Sequence, residues 1–303
     1  MVETVRLLLG AFINIEMWIM LFLNVLVLTC IIKSRLYAKK DNAVYVFTGF
    51  NIFCEICQII LHITYIGPAI ISGNWLFDGQ DSLGVTVTAV IFLGLWYLGS
   101  LMQILFATNR LVVICFPWSA LFSRKRVVYF IVTCCCAALG MVLYSQLLSP
   151  CCRITPDPFV YSYSYLVFPN ESQNLSMYFV DLPLDSGTSL FCGISYIALF
   201  VHVHKVGAAD ERTRTRELRC CIQFILMFLT YTIAWLTFFV YPALQLREHA
   251  AYSVTLIVLL VNSGVNSIIY LVLNTEIRRA ANELLHKEIF KVPKAHGGRS
   301  NLT

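Results

Sequence analysis

Seven apolar segments, each near or above the ~20 residues a helix needs to cross ~30 Å of hydrocarbon, dominate the 303 residues of this chain. They run Leu8–Ile32, Ala43–Ile71, Leu83–Phe116, Val127–Ser149, Ser186–Val206, Cys220–Leu246 and Tyr252–Leu273. Inside lipid a backbone must satisfy its own hydrogen bonds, so segments of this length read as helices. Charged or turn-rich breaks separate them: KSRLYAKKDN, SGNWLFDGQDS, PWSALFSRKR, a long stretch from PCCRITPDP to VDLPLD, GAADERTRTRELR and REHAA. Only 13% of residues are charged and 58% are hydrophobic, with a mean hydropathy of +0.74. A soluble domain carries about 25% charged residues to cover its core. The expected fold is an all-α membrane protein, a seven-transmembrane helix bundle. The expected division is a short extracellular N-terminus (1–7), a membrane domain (8–273) with its second outer loop at about 150–185, and a cytosolic tail (274–303). No internal repeat of fixed period is visible.

Orientation follows from the basic residues. Of the 22 Lys and Arg, all but Arg6, Arg153 and Arg247 fall in the first, third and fifth breaks, at the ends of the segments that flank them, or in the tail. That split puts the N-terminus outside and the C-terminus in the cytosol. Two glycosylation sequons, at Asn170 and Asn174, fall in the second outer loop, on the face the charges make extracellular. A third, at Asn301, lies in the tail and is expected to stay unmodified. No small-residue cleavage site follows a short apolar core near the N-terminus, so the first segment reads as a retained span.

Arg110 interrupts the apolar run from Val85 to Phe116. An arginine costs ~2.5–3.5 kcal/mol at the centre of a spanning helix on insertion scales, and less near its end. Arg110 stands at the cytosolic end, where it marks the boundary or reaches a water-filled cleft. Its neighbours read Asn109-Arg110, Cys115-Phe116-Pro117 and Leu121-Phe122-Ser123. Seven helices with this orientation and an Asn-Arg pair ending the third resemble the rhodopsin-like G-protein-coupled receptors. The NR…FP…FS pattern is similar to that of the nematode Srx-type chemoreceptors. SMYFVDLPLD (Ser176–Asp185) is similar to the tyrosine- and aspartate-bearing start of that group's fifth helix, and Gln223 and the run from Tyr270 to Arg278 fit the same resemblance.

The resemblance implies a chemosensory receptor that binds a small-molecule odorant or other cue in the outer half of the bundle and activates a heterotrimeric G protein inside. Asn109, Arg110, Pro117, Phe122 and Arg124 are the residues it assigns to coupling. It places the chain in the plasma membrane, in the cilia of a sensory neuron, and calls for no cofactor and no nucleic acid. Asn24 matches the first-helix asparagine of these receptors. Asn266-Ser267-Ile268-Ile269-Tyr270 is similar to their seventh-helix N-P-x-x-Y motif, with Ser267 replacing the proline. Trp235 is similar to the sixth-helix tryptophan, with Thr237 where the proline would stand. No cysteine lies between Cys57 and Cys115, so the usual disulfide from the third helix cannot form. Cys151 and Cys152 are the cysteines clearly outside. Either they bond to each other or one of them meets Cys192.

An intramembrane polar network is expected from Asn24, Glu55, His62, Asn266 and Tyr270. Glu55 and His62 are seven apart, two turns along one face of the second helix. Glu16 on the first helix is a ligand contact or an interfacial residue. The pocket is expected from depth alone. Eighteen residues before Arg110, where amine receptors carry an aspartate, stands Phe92, which argues against a biogenic amine held by a salt bridge. Phe92, Trp96, Tyr97, Tyr196, Tyr231 and Trp235 are expected to line an aromatic, largely apolar cavity. The tail after Asn274 places Ile277, Ala281, Leu284, Leu285 and Ile289 on one helical face, suited to the inner leaflet.

The alternative class is a seven-helix ligand-gated channel or transporter. Insect odorant channels run the other way, with the N-terminus inside, and seven-helix sugar transporters carry repeats. An enzyme or photoreceptor is not expected. There is no H-E-x-x-H, no G-x-S-x-G, no lysine in the seventh segment and, by the boundaries above, no aspartate pair within a span.

Overall fold

The computed structural model describes residues 2–38, 44–116, 119–149, 151–166, 173–206, 211–244 and 249–289. Pro117, Asn170, Arg247, Asn301 and the tail beyond 289 lie outside the described residues. Seven long helices make up the bundle, and each is long and apolar enough to cross a membrane. They are α1 (Val2–Lys33), α2 (Val44–Ser72), α3 (Leu83–Cys115), α4 (Arg124–Leu148), α5 (Met177–Lys205), α6 (Glu211–Ala243) and α7 (Ser253–Leu273). A shorter α8 (Thr275–Ile289) follows the seventh. Between α4 and α5 lies an antiparallel hairpin of β1 (Arg153–Asp157) and β2 (Ser162–Leu166). The outer and cytosolic ends are named here after the distribution of basic residues.

Local sequence explains the ends and irregularities. The Ser82 hydroxyl accepts from the Val85 amide and caps α3. Gly73, at φ 66°, ends α2 in the left-handed conformation that glycine adopts without strain. Of the three π-helical turns among the described residues, His62–Ile66, Tyr144–Leu148 and Met177–Asp181, the first and last lie two residues before a proline, Pro68 or Pro183. Proline supplies no amide to the turn before it, and widening that turn is how the helix continues. The chain reverses in the hairpin where Asp157 Oδ1 accepts from the Phe159 amide (2.9 Å), an Asx turn. A side chain at Gly264 would collide with Met20 Sδ, so the close approach of α1 to α7 requires glycine there.

Two boundaries differ from the sequence expectation. Helix α1 begins at Val2 rather than Leu8. The fifth span begins at Met177 rather than Ser186, inside the stretch expected as outer loop. Asp181, Pro183 and Asp185 depress hydropathy there, yet the helix continues because neighbouring elements supply donors to both carboxylates. The aspartate pair thought absent from the spans is therefore present. Cys151 and Cys152 are bonded to each other, and Cys192 is buried and free.

The core runs along the bundle axis and is rich in rings. Phe47, Phe106, Phe122 and Phe224 meet edge-on or tilted toward the cytosolic end. Large apolar side chains such as Trp18, Phe22, Leu190 and Ile197 are exposed on the outside of the bundle, the surface that faces lipid.

Candidate functional site

The hairpin closes the outer end. Residues two apart on a strand share a face, and Tyr163 and Tyr165 of β2 both point into the bundle. Tyr163 stacks on Phe92 of α3, with ring centroids 3.7 Å apart, and meets His62 edge-on at 5.8 Å. The Tyr165 hydroxyl donates to Asp181 Oδ2 (2.7 Å), and its ring packs edge-on against Phe238 of α6. Burial, then the adjacent Asp181, push the Tyr165 phenol well above its ordinary range, which keeps it a donor. Ile154 pairs with Tyr165 across the hairpin.

Beneath this roof lies a cavity lined by α3, α5, α6, α7 and the hairpin. Phe92, Trp96, Asp181, Asp185, Trp235 and Phe238 are among its walls. Its empty space is about 380 Å³, counting the part open to solvent. Three of the six residues expected to line a pocket do so: Phe92, Trp96 and Trp235. Tyr97 and Tyr231 stand just behind, with their hydroxyls on the two carboxylates. Tyr196 lies apart, buried between Phe224 and Phe228 on the cytosolic side.

The carboxylates organise this end. Asp181 and Asp185 are 4% and 3% exposed, one turn apart on α5. Asp181 accepts from Tyr97 of α3 and from Tyr165 of the hairpin. The Tyr97 hydroxyl also lies 3.0 Å from Ser145 of α4. Asp185 accepts from Tyr231 of α6 (2.7 Å), from the Trp96 indole (3.2 and 3.3 Å) and from Ser100 (3.3 Å). The Tyr231 hydroxyl also lies 2.8 Å from Ser100. Deeper in, the Trp235 indole donates to Ser189 of α5 (2.7 Å). Helices α3, α4, α5 and α6 and the hairpin thus converge on two acids. Sequence reading placed the two acids at the start of the fifth helix by resemblance but gave them no site role, and it missed the hairpin, although the Ser-Tyr-Ser-Tyr alternation at 162–165 was a strand signal.

The residues expected to form one polar network separate into three groups and an outlier. Asn24 donates to the Ser263 carbonyl (2.9 Å) and accepts from Ser267 (2.5 Å). The serine that replaces proline in the seventh-helix motif therefore has a bonding role of its own. Glu55 Oε1 accepts from Asn266 and from Asn51 (2.7 Å). The Tyr270 hydroxyl lies 3.2 Å from Thr48. His62 is the outlier, its ring meeting Phe92 and Tyr163 edge-on. Glu16 is buried on α1 and does not border the cavity.

At the cytosolic end, Asn109 is buried and the Arg110 guanidinium lies over the Phe224 ring of α6, 4.7 Å from its centroid. Phe224 in turn packs on Phe106 and Tyr196. Phe122 meets Phe47 and Phe130, and Arg124 lies over Tyr37 (5.7 Å). Tyr45 of α2 donates to Glu276 (2.8 Å), and Asn274 caps α8 through the Glu276 and Ile277 amides. Ile277, Ala280 and Ala281 of α8 are buried against the bundle while Arg278 and Arg279 are exposed.

With fold and geometry in place, the comparisons decide the family. The sequence matches the family of serpentine type 7TM GPCR chemoreceptors, Srx, over residues 18–274. The chain belongs to that family. No curated protein matches it. Among solved structures it is similar to squid rhodopsin, with a TM-score of 0.77 at 14% identity, covering 95% of this chain and 87% of that one. At that identity the likeness concerns the fold, a seven-helix bundle. The Srx chain is thus a multi-pass membrane protein of a receptor class that is not enzymatic.

Proposed function

We propose that this Srx chain binds a small-molecule chemical cue in the cavity under the hairpin. In response it activates a heterotrimeric G protein at the cytosolic face, around Asn109, Arg110, Pro117, Phe122 and Arg124. The observation that carries this reading is the span of α6. Tyr231 is bonded to Asp185 beside the cavity, and Phe224 lies under Arg110. The two residues are seven apart, on one face of the helix and about 10 Å along its axis. A ligand that shifts Tyr231 therefore acts on the element that covers Arg110, and its differential affinity for the two positions of α6 sets the response.

The test is a ligand panel in cells co-expressing a Gα subunit, with wild type beside Arg110→Ala at matched surface level. The expected result is a response abolished by the substitution. A response that survives removes Arg110 from the coupling role, and a current or uptake that needs no Gα moves the chain to the channel or transporter class. The same reading puts glycans on Asn170 and Asn174, the tail 274–303 against the inner leaflet, and the chain in the ciliary plasma membrane of a sensory neuron. Replacing both asparagines by glutamine should increase gel mobility, whereas an inverted topology predicts no change.

A further inference from the structure

We propose that the occupant of the cavity is a small organic cation, an ammonium compound, held by Asp181 and Asp185 within the aromatic walls. This rests on the reading of the cavity as the ligand site.

The groups around the carboxylates are placed to donate. An indole N–H only donates, and Trp96 reaches both oxygens of Asp185 at 3.2 and 3.3 Å. Tyr97, Tyr165, Tyr231 and Ser100 contribute hydroxyls. All five groups are neutral. They orient and stabilise negative charge without cancelling it. Among the described residues that border the cavity there is no Lys, Arg or His. An ion kept from water carries a penalty of several kcal/mol even after relaxation, and two acids one helical turn apart add mutual repulsion. A positive occupant offsets both.

The walls point to the same chemistry independently. Phe92, Trp96, Tyr165, Trp235, Phe238 and Phe239 surround the space. Ring faces attract cations, and aromatic enclosures are a recurring means of holding ammonium groups. A neutral ligand would meet the same rings and leave the carboxylates without a counter-charge. The position eighteen residues before Arg110 holds Phe92, so here the acids enter from α5 rather than α3.

The experiment uses the full chain purified into lipid nanodiscs. The probes are primary amines from propylamine to 2-phenylethylamine, each beside the alcohol in which hydroxyl replaces ammonium. The readout is affinity from the concentration dependence of the unfolding temperature. At least one amine should bind and its alcohol should not, and Asp185→Asn and Asp181→Asn should each weaken the amine by about thirtyfold or more, as for loss of one partner of a buried charge pair. The comparison of amine with alcohol on wild type needs no substitution, so it stands if either variant fails to fold. Alcohols binding as well as amines, or amines binding the asparagine variants unchanged, overturns the cation. Ala234→Leu, which narrows the cavity, separates the two readings. Alcohols that bind and are blocked by it overturn the cation and keep the cavity. A panel in which nothing binds, or binding that Ala234→Leu leaves intact, overturns both.

Discussion

The two ends of the bundle are held by different forces. At the outer end, α3, α6 and the hairpin supply hydroxyl and indole donors to Asp181 and Asp185 of α5, and Tyr97 also reaches Ser145 of α4. Hydrogen bonds to charged groups contribute about 1.5–3 kcal/mol each and are directional. At the cytosolic end, α3 meets α6 through Arg110 over Phe224 and through tilted ring pairs. Cation–π contacts contribute about 0.5–2 kcal/mol and aromatic pairs about 0.5–1.5, and rings slide at little cost compared with a broken hydrogen bond to a buried acid. The difference teaches that one helix is held by two kinds of contact: α6 is bonded through Tyr231 at the outside and packs through the Phe224 ring at the inside.

The largest effect is expected from Asp185→Ala. It removes the acceptor of Tyr231, Trp96 and Ser100 and leaves buried donors unmatched, a loss of about 3 kcal/mol. Thermal unfolding in detergent should fall by several degrees, and an unchanged midpoint would mean that the outer tether is not what holds α6. Tyr165→Phe tests the roof alone. It deletes one charge-assisted bond to Asp181 and keeps the ring against Phe238, so a loss of about 1.5 kcal/mol is expected. If the midpoint does not move, the hairpin rests on the bundle by packing and the comparison weakens. The smallest stability change, about 1 kcal/mol, is expected at the inner end from Phe224→Leu, which removes the ring face under Arg110 and keeps apolar volume. Its signature should be functional: basal nucleotide exchange on a co-purified Gα should rise severalfold. A basal rate equal to wild type would mean that the ring does not restrain Arg110.

Much of this was legible in the chain. Seven spans, their helical state and the rings of α3 and α6 follow from runs of apolar residues. The amphipathic α8 and Asn274 before it were also readable, and Ile277 and Ala281 are buried as its pattern requires. The fifth span was misplaced for a physical reason. Hydropathy scores Asp181 and Asp185 as though each stood in lipid, whereas each stands among donors drawn from up to 89 positions away in sequence. The grouping of Glu55 with His62 failed because residues seven apart share a face yet stand about 10 Å apart along the helix axis, and each meets different partners there.

What the sequence determined by itself is what depends on consecutive residues. Whether a stretch can cross a bilayer, which way the chain runs and where a helix is capped are local questions of hydropathy, charge and hydrogen bonding. What only the tertiary structure decided is which buried polar groups meet. That Tyr97, Tyr165, Trp96 and Tyr231 close on two aspartates, that Ser267 bonds Asn24 and that Arg110 faces a ring depend on elements far apart in the chain. Inside a membrane such partners fix the energy of every buried charge, because there is no water to take their place.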